Sequence, residues 1–274
     1  MRWSKIKNII ILLLIIVNGF LLALVGLRAW QTEQGERETR ERMIGILANN
    51  GIEFLPQEVP GELKLPSWQV EVETPDEAQA VWLVGELRSV ESVGGRTTYT
   101  GERGAASFSS AGGVQAEFPS NAWPCDRERI TATAAEMLNA LSVPSVQETG
   151  RREEDNAVTV TYTQLWEGEP VFDRTLVLRW EDGSIRSLNG SCLLGGGEAQ
   201  TGGETITSST ALARFLTALN DGGYVCSQIT DVYAGYTSGG TGTVNLTPAW
   251  LIGTDVWPRQ FVVDGVTGTV TAAE

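Results

Sequence analysis

A chain of 274 residues is long enough for one or two domains with a hydrophobic core, and its content of 42% hydrophobic and 20% charged residues excludes general disorder. The formal net charge is −14, and the first 28 residues carry four basic and no acidic side chains, so the remainder has a net charge of −18. This remainder is too acidic to bind nucleic acid or anionic lipid headgroups by bulk charge. Histidine is absent, which excludes histidine-dependent catalytic triads and imidazole metal ligands.

The segment Ile9–Leu27 contains 19 residues without a charge. At about 1.5 Å per helical residue, it spans a hydrocarbon layer of roughly 30 Å. Trp3 and Trp30 flank it, and no small-residue cleavage pattern follows it. The sequence therefore predicts an uncleaved transmembrane helix at 9–27, with residues 1–8 in the cytoplasm. The long C-terminal part is expected outside the cell, because long domains are translocated largely regardless of their charge.

One face of this predicted helix combines small residues with a polar one. Gly19 and Ala23 form a small-xxx-small pair, Gly26 continues the same face, and Asn18 and Leu22 border it. Such faces let two helix backbones approach closely, and an amide can then form a hydrogen bond to the neighbouring helix. These five residues are the predicted contact with a transmembrane partner. The alternative is that Asn18 is a tolerated polar residue without a partner.

Residues 28–50 are predicted to form a juxtamembrane helix with Met43, Ile44 and Leu47 on one face. Residues 51–122 are expected to form a first extracytoplasmic α+β subdomain. Within it, a helix begins near Thr74 and runs through Leu87, and short strands with glycine turns lie between residues 94 and 118.

From residue 123 to residue 274, a helix followed by alternating strands occurs twice, which predicts a second domain made of two repeats. The repeats cover residues 126–192 and 205–274, and the Gly-rich segment 193–204 is expected to be a flexible linker. Glu167-Gly168 and Asp182-Gly183 are strong hairpin signals in the first repeat. The predicted fold class is α+β, with helices packed on one face of antiparallel sheets.

No catalytic, cofactor or metal site is predicted, and we expect a protein that is not an enzyme. Cys125, Cys192 and Cys226 lack C-x-x-C spacing and read as small buried hydrophobes. A disulfide between Cys192 and Cys226 is the alternative in an oxidising compartment. Paired carboxylates such as Glu167 and Glu169 lie at turns, where acidic side chains are solvated. Most of the nine tryptophans are expected to pack in the core, and one or two to anchor a protein interface.

The N-terminal sequence MRWSKIKNIIILLLIIVNGFLL resembles the opening of the YycI family of Gram-positive bacteria. The segments QLWEGEPVFD and PAWLIG…FVVDGVTGTV are similar to that family and to the wider PepSY-like domains. The chain differs in its Gly- and Thr-rich C-terminal half and in having no lysine after Lys64. The resemblance implies a membrane protein that regulates a two-component sensor histidine kinase, the WalK (YycG) system. It also implies action through transmembrane-helix contacts together with a YycH-like protein.

Three functions follow as hypotheses. The first is a single-pass membrane regulator of a histidine kinase, with a cytoplasmic N-terminus and an extracellular C-terminal domain. The second is a PepSY-type binding module that inhibits or chaperones a secreted or cell-envelope enzyme, and that would act without its anchor. The third is a cell-wall hydrolase that uses carboxylates.

Overall fold

The computed structural model describes residues 14, 17–20, 22, 35, 38–57, 59–200, 203–240, 243–257 and 259–273. These residues form a mixed α+β fold that is mostly sheet with few helices, in agreement with the predicted class. The helices after residue 35 are α1 (residues 38–49), α2 (Glu77–Val84), α3 (Ile130–Ala140) and α4 (Ser208–Gly222).

The strands run in short connected groups. Those before α3 are β1 (Glu53–Phe54), β2 (Ser67–Glu71), β3 (Leu87–Val93), β4 (Arg96–Gly101), β5 (Gly104–Ser109) and β6 (Gly113–Glu117). Those between α3 and α4 are β7 (Val146–Glu153), β8 (Ala157–Trp166), β9 (Glu169–Glu181), β10 (Ser184–Ser191) and β11 (Gly197–Gln200). Those after α4 are β12 (Gln228–Gly239), β13 (Thr243–Thr254), β14 (Gln260–Asp264) and β15 (Val270–Ala273).

The strands form two groups, sheet 1 and sheet 2, and a parallel pairing between Val171 of β9 and Tyr236 of β12 joins the groups into one 15-stranded sheet. In sheet 1 the order is β7-β8-β9-β10-β6-β5-β4-β3, with antiparallel pairing throughout. Helices α2 and α3 pack on one face of it, around a core that contains Leu83, Met137 and Leu178. In sheet 2, β12 to β15 form an antiparallel meander, and β1 pairs in parallel with β12. Strand β2 lies between β11 and β13 and pairs with both in antiparallel orientation. Helices α1 and α4 cover sheet 2.

The observed element order has the predicted alternation, since α3 and α4 are each followed by four antiparallel strands. Both predicted hairpin turns in the first group are confirmed. Glu167 and Gly168 have φ values of 50° and 89°, and Asp182 and Gly183 have 49° and 79°. Two successive positive φ angles match the twist of the flanking strands, and a glycine at the second position makes this conformation accessible.

Helix α2 is shorter than predicted. It begins with a capping box in which Asp76 and Gln79 satisfy each other's backbone N–H groups. It ends at Gly85, whose φ of 82° is incompatible with a continuing right-handed helix. The prediction that the helix runs through Leu87 was therefore wrong, and Leu87 begins β3 instead.

The segment 51–122, predicted as a first subdomain, contributes strands to both sheets. Strands β1 and β2 pair with strands of the meander that follows α4, while β3 to β6 extend sheet 1 from the edge of β10. The first part of the segment that was predicted to be a flexible linker is also folded. Leu193 is fully buried, and β11 pairs with β2, so residues 193–200 belong to the folded body.

A third cluster of buried side chains joins the two sheets. Trp166 of β8 and Tyr236 of β12 lie in it, and Trp68 of β2 packs against it. The rings of Trp68 and Trp166 meet edge to face at 5.9 Å, and Trp68 Nε1 donates a hydrogen bond of 3.2 Å to Tyr236 Oη. Asp173 adds a polar link, because its carboxylate accepts hydrogen bonds from the backbone and hydroxyl of Ser238.

The predicted transmembrane helix at 9–27 lies mostly outside the described residues. Residues 14, 17–20 and 22 are helical and exposed. In the part of the chain that the structure describes, no helix has both the length and the apolar composition needed to cross a bilayer. The prediction of a transmembrane anchor stays a prediction.

Candidate interaction surfaces

Three of the five residues predicted to contact a transmembrane partner lie in described parts of the chain. Asn18, Gly19 and Leu22 are helical and exposed, while Ala23 and Gly26 lie outside the described residues. A Cβ atom added at Gly19 would meet no atom within 4 Å. The predicted contact with a transmembrane partner stays a prediction.

Helix α1 connects this N-terminal region to the folded body. Met43 and Leu47 are buried at 6% and 0% exposure, Ile44 is half-buried, and Ile46 is exposed. The one-sided burial confirms the predicted apolar face. Met43 and Leu47 pack in the same core as α4 and sheet 2, together with Ile52, which follows the helix. The chain that leaves the predicted anchor is therefore part of the core of the second helix–meander unit, which consists of α4 and β12 to β15; the first unit consists of α3 and β7 to β10.

The end of α1 is fixed to the start of β12. The backbone N–H of Glu53 donates to the carbonyl of Ser227, and Glu53 and Phe54 pair in parallel with Gln228 and Ile229. The side chain of Gln228 also donates a hydrogen bond of 2.9 Å to the Glu53 carboxylate. A displacement of α1 along its axis would break these contacts. The helix and sheet 2 are thus expected to move together.

Asp255 joins two loops at this end of sheet 2. Its carboxylate accepts hydrogen bonds from the backbone N–H and the hydroxyl of Ser227, at 3.1 and 2.5 Å, and from the backbone N–H of Gln228 at 2.9 Å. The hydroxyl hydrogen bond is the main reason that the pKa of Asp255 lies below its ordinary value. Ser227 is the last residue of the α4–β12 loop, and Asp255 lies in the β13–β14 loop. The ionised carboxylate therefore holds these loops side by side.

Four apolar side chains of these two loops are exposed to solvent. Tyr224 and Val225 are 44% and 80% exposed, and Val256 and Trp257 are 37% and 70% exposed. We call these four residues the loop patch. Tyr224 has a fixed position, because its ring packs edge to face on the buried ring of Phe261, 5.5 Å away. Tyrosine and tryptophan are enriched at the energetic centres of protein interfaces.

A second aromatic cluster lies where α2 meets sheet 1. Trp82 is 38% exposed, and its ring lies 5.1 Å from that of Trp123. The guanidinium carbon of Arg103 is 4.7 Å from the Trp123 ring centroid, and Arg103 also donates to the carbonyl of Trp82. Trp123 Nε1 donates to the carbonyl of Leu83. These contacts hold the end of α2 on the sheet, so the cluster has a structural role.

One cluster of charged side chains lies between β7 and α3. Arg151 donates hydrogen bonds of 2.7 and 3.0 Å to Glu148 and one of 2.8 Å to Thr131, which ties β7 to α3. The hydrogen bond from Arg151 lowers the pKa of Glu148. Among the described residues, no group of three or more His, Cys, Asp or Glu side chains could hold a metal ion. Cys192 and Cys226 are buried free thiols, so the alternative of a disulfide between them is not present.

A cavity of about 300 Å³ lies where the start of α1 faces the start of α4. It is open to solvent, and its lining residues include Arg40, Thr39 and Ser208. Thr207 caps α4 by accepting a hydrogen bond from the backbone N–H of Thr210. The starts of α1 and α4 are thus neighbours at one end of the body. The loop patch lies at the other end, where both helices finish.

The sequence predicted that one or two tryptophans would anchor an interface, and it did not identify which. Trp250 is fully buried, and Trp166 and Trp180 are 7% and 8% exposed, whereas Trp257 is 70% exposed. A local signal for Trp257 was present, because Val256 and Trp257 stand between Asp255 and a proline, outside the alternating pattern of the adjacent strands. The partnership of Ser227 with Asp255 had no such signal, since these residues are 28 positions apart.

No protein-family model and no curated protein matches the sequence. A solved structure does share the fold. An uncharacterised protein from Eubacterium rectale aligns with a TM-score of 0.52 at 12% identity, covering 81% of this chain and 90% of that one. The Bacillus megaterium YpeB C-terminal domain aligns with a TM-score of 0.37 at 10% identity, covering 68% and 88% of the two chains. The first likeness defines a shared mixed α+β fold and no more; the second is too weak to support an argument.

Proposed function

We propose that the protein is a single-pass membrane regulator of a two-component sensor histidine kinase, with its folded body outside the cytoplasm. In this proposal residues 9–27 form the transmembrane helix, and the two helix–meander units are PepSY-like repeats. A YycH-like protein acts with it, as the sequence resemblance implies. The N-terminal sequence motif and the charge-free segment support the proposal, and the resemblance supplies the identity of the kinase system.

The burial of Leu47 is the observation that carries the proposal furthest. The Leu47 side chain has 0% exposure, so the helix that follows the predicted anchor packs in the core of the body. A regulator that acts on a membrane kinase needs its exterior domain and its anchor to be mechanically connected. A binding module that functions after release has no such requirement.

Within the bilayer, the proposed contact is the face that contains Asn18, Gly19, Leu22, Ala23 and Gly26. Small residues allow the backbones to approach, and the Asn18 amide forms a hydrogen bond to the partner helix. Such a bond contributes about 0.5–2 kcal/mol, which is sufficient to bias an association. In this proposal the regulation passes through contacts in the membrane and outside the cytoplasm.

Replacing Asn18 and Gly19 together by leucine in the full chain tests this contact. The experiment measures co-purification with the sensor kinase from detergent-solubilised membranes. We expect a loss of at least about threefold, because the variant removes the amide and blocks close approach. Val17→Leu is the matched control, since Val17 lies on the opposite side of a helix from Gly19. Unchanged co-purification of the double variant would contradict the proposal.

The second candidate is a PepSY-type module that binds and inhibits or chaperones a cell-envelope enzyme. The loop patch favours it, because the exposed side chains of Trp257 and Val225 suit a protein partner outside the membrane. The two candidates differ in their need for the anchor. A soluble fragment that begins at Gln31 retains full activity if the second candidate is correct, and loses control of the kinase if the first is correct.

A further inference from the structure

The two loops that carry the loop patch are fixed to each other. The Asp255 carboxylate binds the backbone of Ser227 and Gln228, so the residues on either side are neighbours in space. Val225 and Trp257 are the most exposed members, at 80% and 70%. Neither is needed for the hydrogen bonds between the loops. A tryptophan and a valine exposed together on a fixed platform are typical of a surface that is covered in a complex.

The charges around the loop patch are mainly negative. Asp221 lies three residues before Tyr224 and is exposed, Asp255 lies between the two loops, and Glu53 is exposed on the adjoining β1. Arg259 contributes one positive charge to the same end. An acidic rim disfavours an anionic membrane surface and a second copy of the same face, because like charges would meet. It favours a partner segment with basic side chains around an apolar one.

The position of the loop patch indicates where that partner is. The chain enters the body at the start of α1, and the loop patch lies beyond the other end of this helix. Twelve helical residues, at about 1.5 Å each, separate the two ends by roughly 18 Å. A partner that contacts the anchor in the bilayer would reach the loop patch only with a part that extends outside the membrane.

We propose that the loop patch binds a basic, aromatic- or leucine-containing segment in the exterior region of a partner protein. Trp257 and Val225 supply the apolar contact, and Asp221, Asp255 and Glu53 attract the Lys or Arg side chains that flank the partner's apolar residue. This inference extends the proposed function by naming a second contact, outside the membrane, and the chemistry of the segment that occupies it.

The test uses the full chain in nanodiscs of zwitterionic lipid and two fluorescent peptides. In one peptide Trp and Leu are interspersed with Lys and Arg, and in the other Glu replaces every basic residue. Binding is measured by anisotropy for the unaltered chain, for Trp257→Ser and for Val225→Ser. Val266→Ser is the control, because Val266 is a 46% exposed apolar residue in the β14–β15 turn, at the far end of sheet 2.

We expect the basic peptide to bind the unaltered chain and the Val266 variant within about twofold of each other. Its affinity for the Trp257 variant should fall by about 30-fold, the loss typical of a residue at an interface centre. The acidic peptide should not bind. Equal binding of the basic peptide to the unaltered chain and to both patch variants would overturn the proposal, because attraction would then come from charge alone. Absence of binding to the unaltered chain would overturn it as well.

Two further measurements address other occupants. Sedimentation of the full chain would reveal a dimer that Trp257→Ser dissolves, and vesicles of anionic lipid would reveal Trp257-dependent membrane binding. Either result would replace the protein segment by a different occupant and would overturn the proposal. The outcome is separable from that of the anchor experiment, because the peptides bind outside the membrane and the Asn18 and Gly19 substitutions leave the loop patch intact.

Discussion

The side-chain amide of Gln164 and the backbone of Leu193 form two hydrogen bonds, each 2.7 Å long. Gln164 is 1% exposed and Leu193 is fully buried. The amide thereby supplies both a hydrogen-bond donor and an acceptor to the segment that connects β10 to β11. This pairing holds the connection between the two helix–meander units against β8, beside the cluster that contains Trp166 and Tyr236.

Replacing Gln164 by leucine should lower the free energy of unfolding by about 2–4 kcal/mol. The substitution leaves the N–H and C=O groups of Leu193 buried without partners, and each such group costs about 1–3 kcal/mol. Urea unfolding followed by tryptophan fluorescence measures the change. Gln147→Leu is the control, since Gln147 is exposed on the neighbouring β7. Equal effects of the two substitutions would contradict the role of the Gln164–Leu193 pair.

Truncating Leu47 to alanine should destabilise the body by about 2–5 kcal/mol, the usual cost of removing a fully buried leucine side chain. Ile46→Ala changes the adjacent residue, which is 46% exposed, and should alter the stability by no more than about 0.5 kcal/mol. Thermal or urea unfolding distinguishes the two variants. If Leu47→Ala had as small an effect as Ile46→Ala, α1 would not be part of the core.

The pKa of Asp255 should rise toward its ordinary value when Ser227 is replaced by alanine, because the hydroxyl hydrogen bond is the largest cause of its lowering. A carboxyl whose folded pKa is lowered stabilises the fold above its unfolded pKa, near 3.9. That contribution is lost as the pH falls through the folded pKa. Carbon-13 NMR titration of the Asp255 carboxyl follows the change, with Ser89→Ala in sheet 1 as the control. An unchanged pKa in the Ser227 variant would refute this assignment.

The buried cysteines should resist alkylation in the folded protein. Burial raises the pKa of the Cys192 thiol to about 12, and burial together with the nearby Asp255 raises that of Cys226 to about 11. Thiolate is the reactive form, so at pH 8 both thiols react with iodoacetamide slowly until the chain unfolds. Mass spectrometry before and after unfolding in urea measures the labelling. Rapid labelling of Cys192 in the folded chain would be inconsistent with its 1% exposure.

The parts of the fold that depend on neighbouring residues could be predicted from the sequence. Glu167-Gly168 and Asp182-Gly183 specify their hairpins locally, because the turn type requires residues that accept positive φ. The apolar spacing of Met43 and Leu47 likewise predicts the buried face of α1. The end of α2 was missed because the apolar spacing continues through Leu87, whereas Gly85 stops the helix.

Contacts between distant segments had no local signal. The pairing of β2 with β13 and β11 brings residues 67–71 beside 197–200 and 243–246, and alternating hydrophobicity does not specify which strands become partners. The glycines before β11 suggested flexibility, while Gly197 in fact lies where a Cβ atom would be 2.7 Å from the ring of Trp166. Its lack of a side chain serves close packing there. The loop patch likewise depends on Ser227 and Asp255 meeting in three dimensions.

The most direct test of the proposed regulation measures autophosphorylation of the sensor kinase in nanodiscs that also contain this chain. The unaltered protein and the Val17→Leu control should change the kinase rate to the same extent. The variant with Asn18 and Gly19 replaced by leucine should lose most of that effect, and a soluble fragment beginning at Gln31 should have none. An undiminished effect of the double variant or of the soluble fragment would contradict regulation through the membrane anchor.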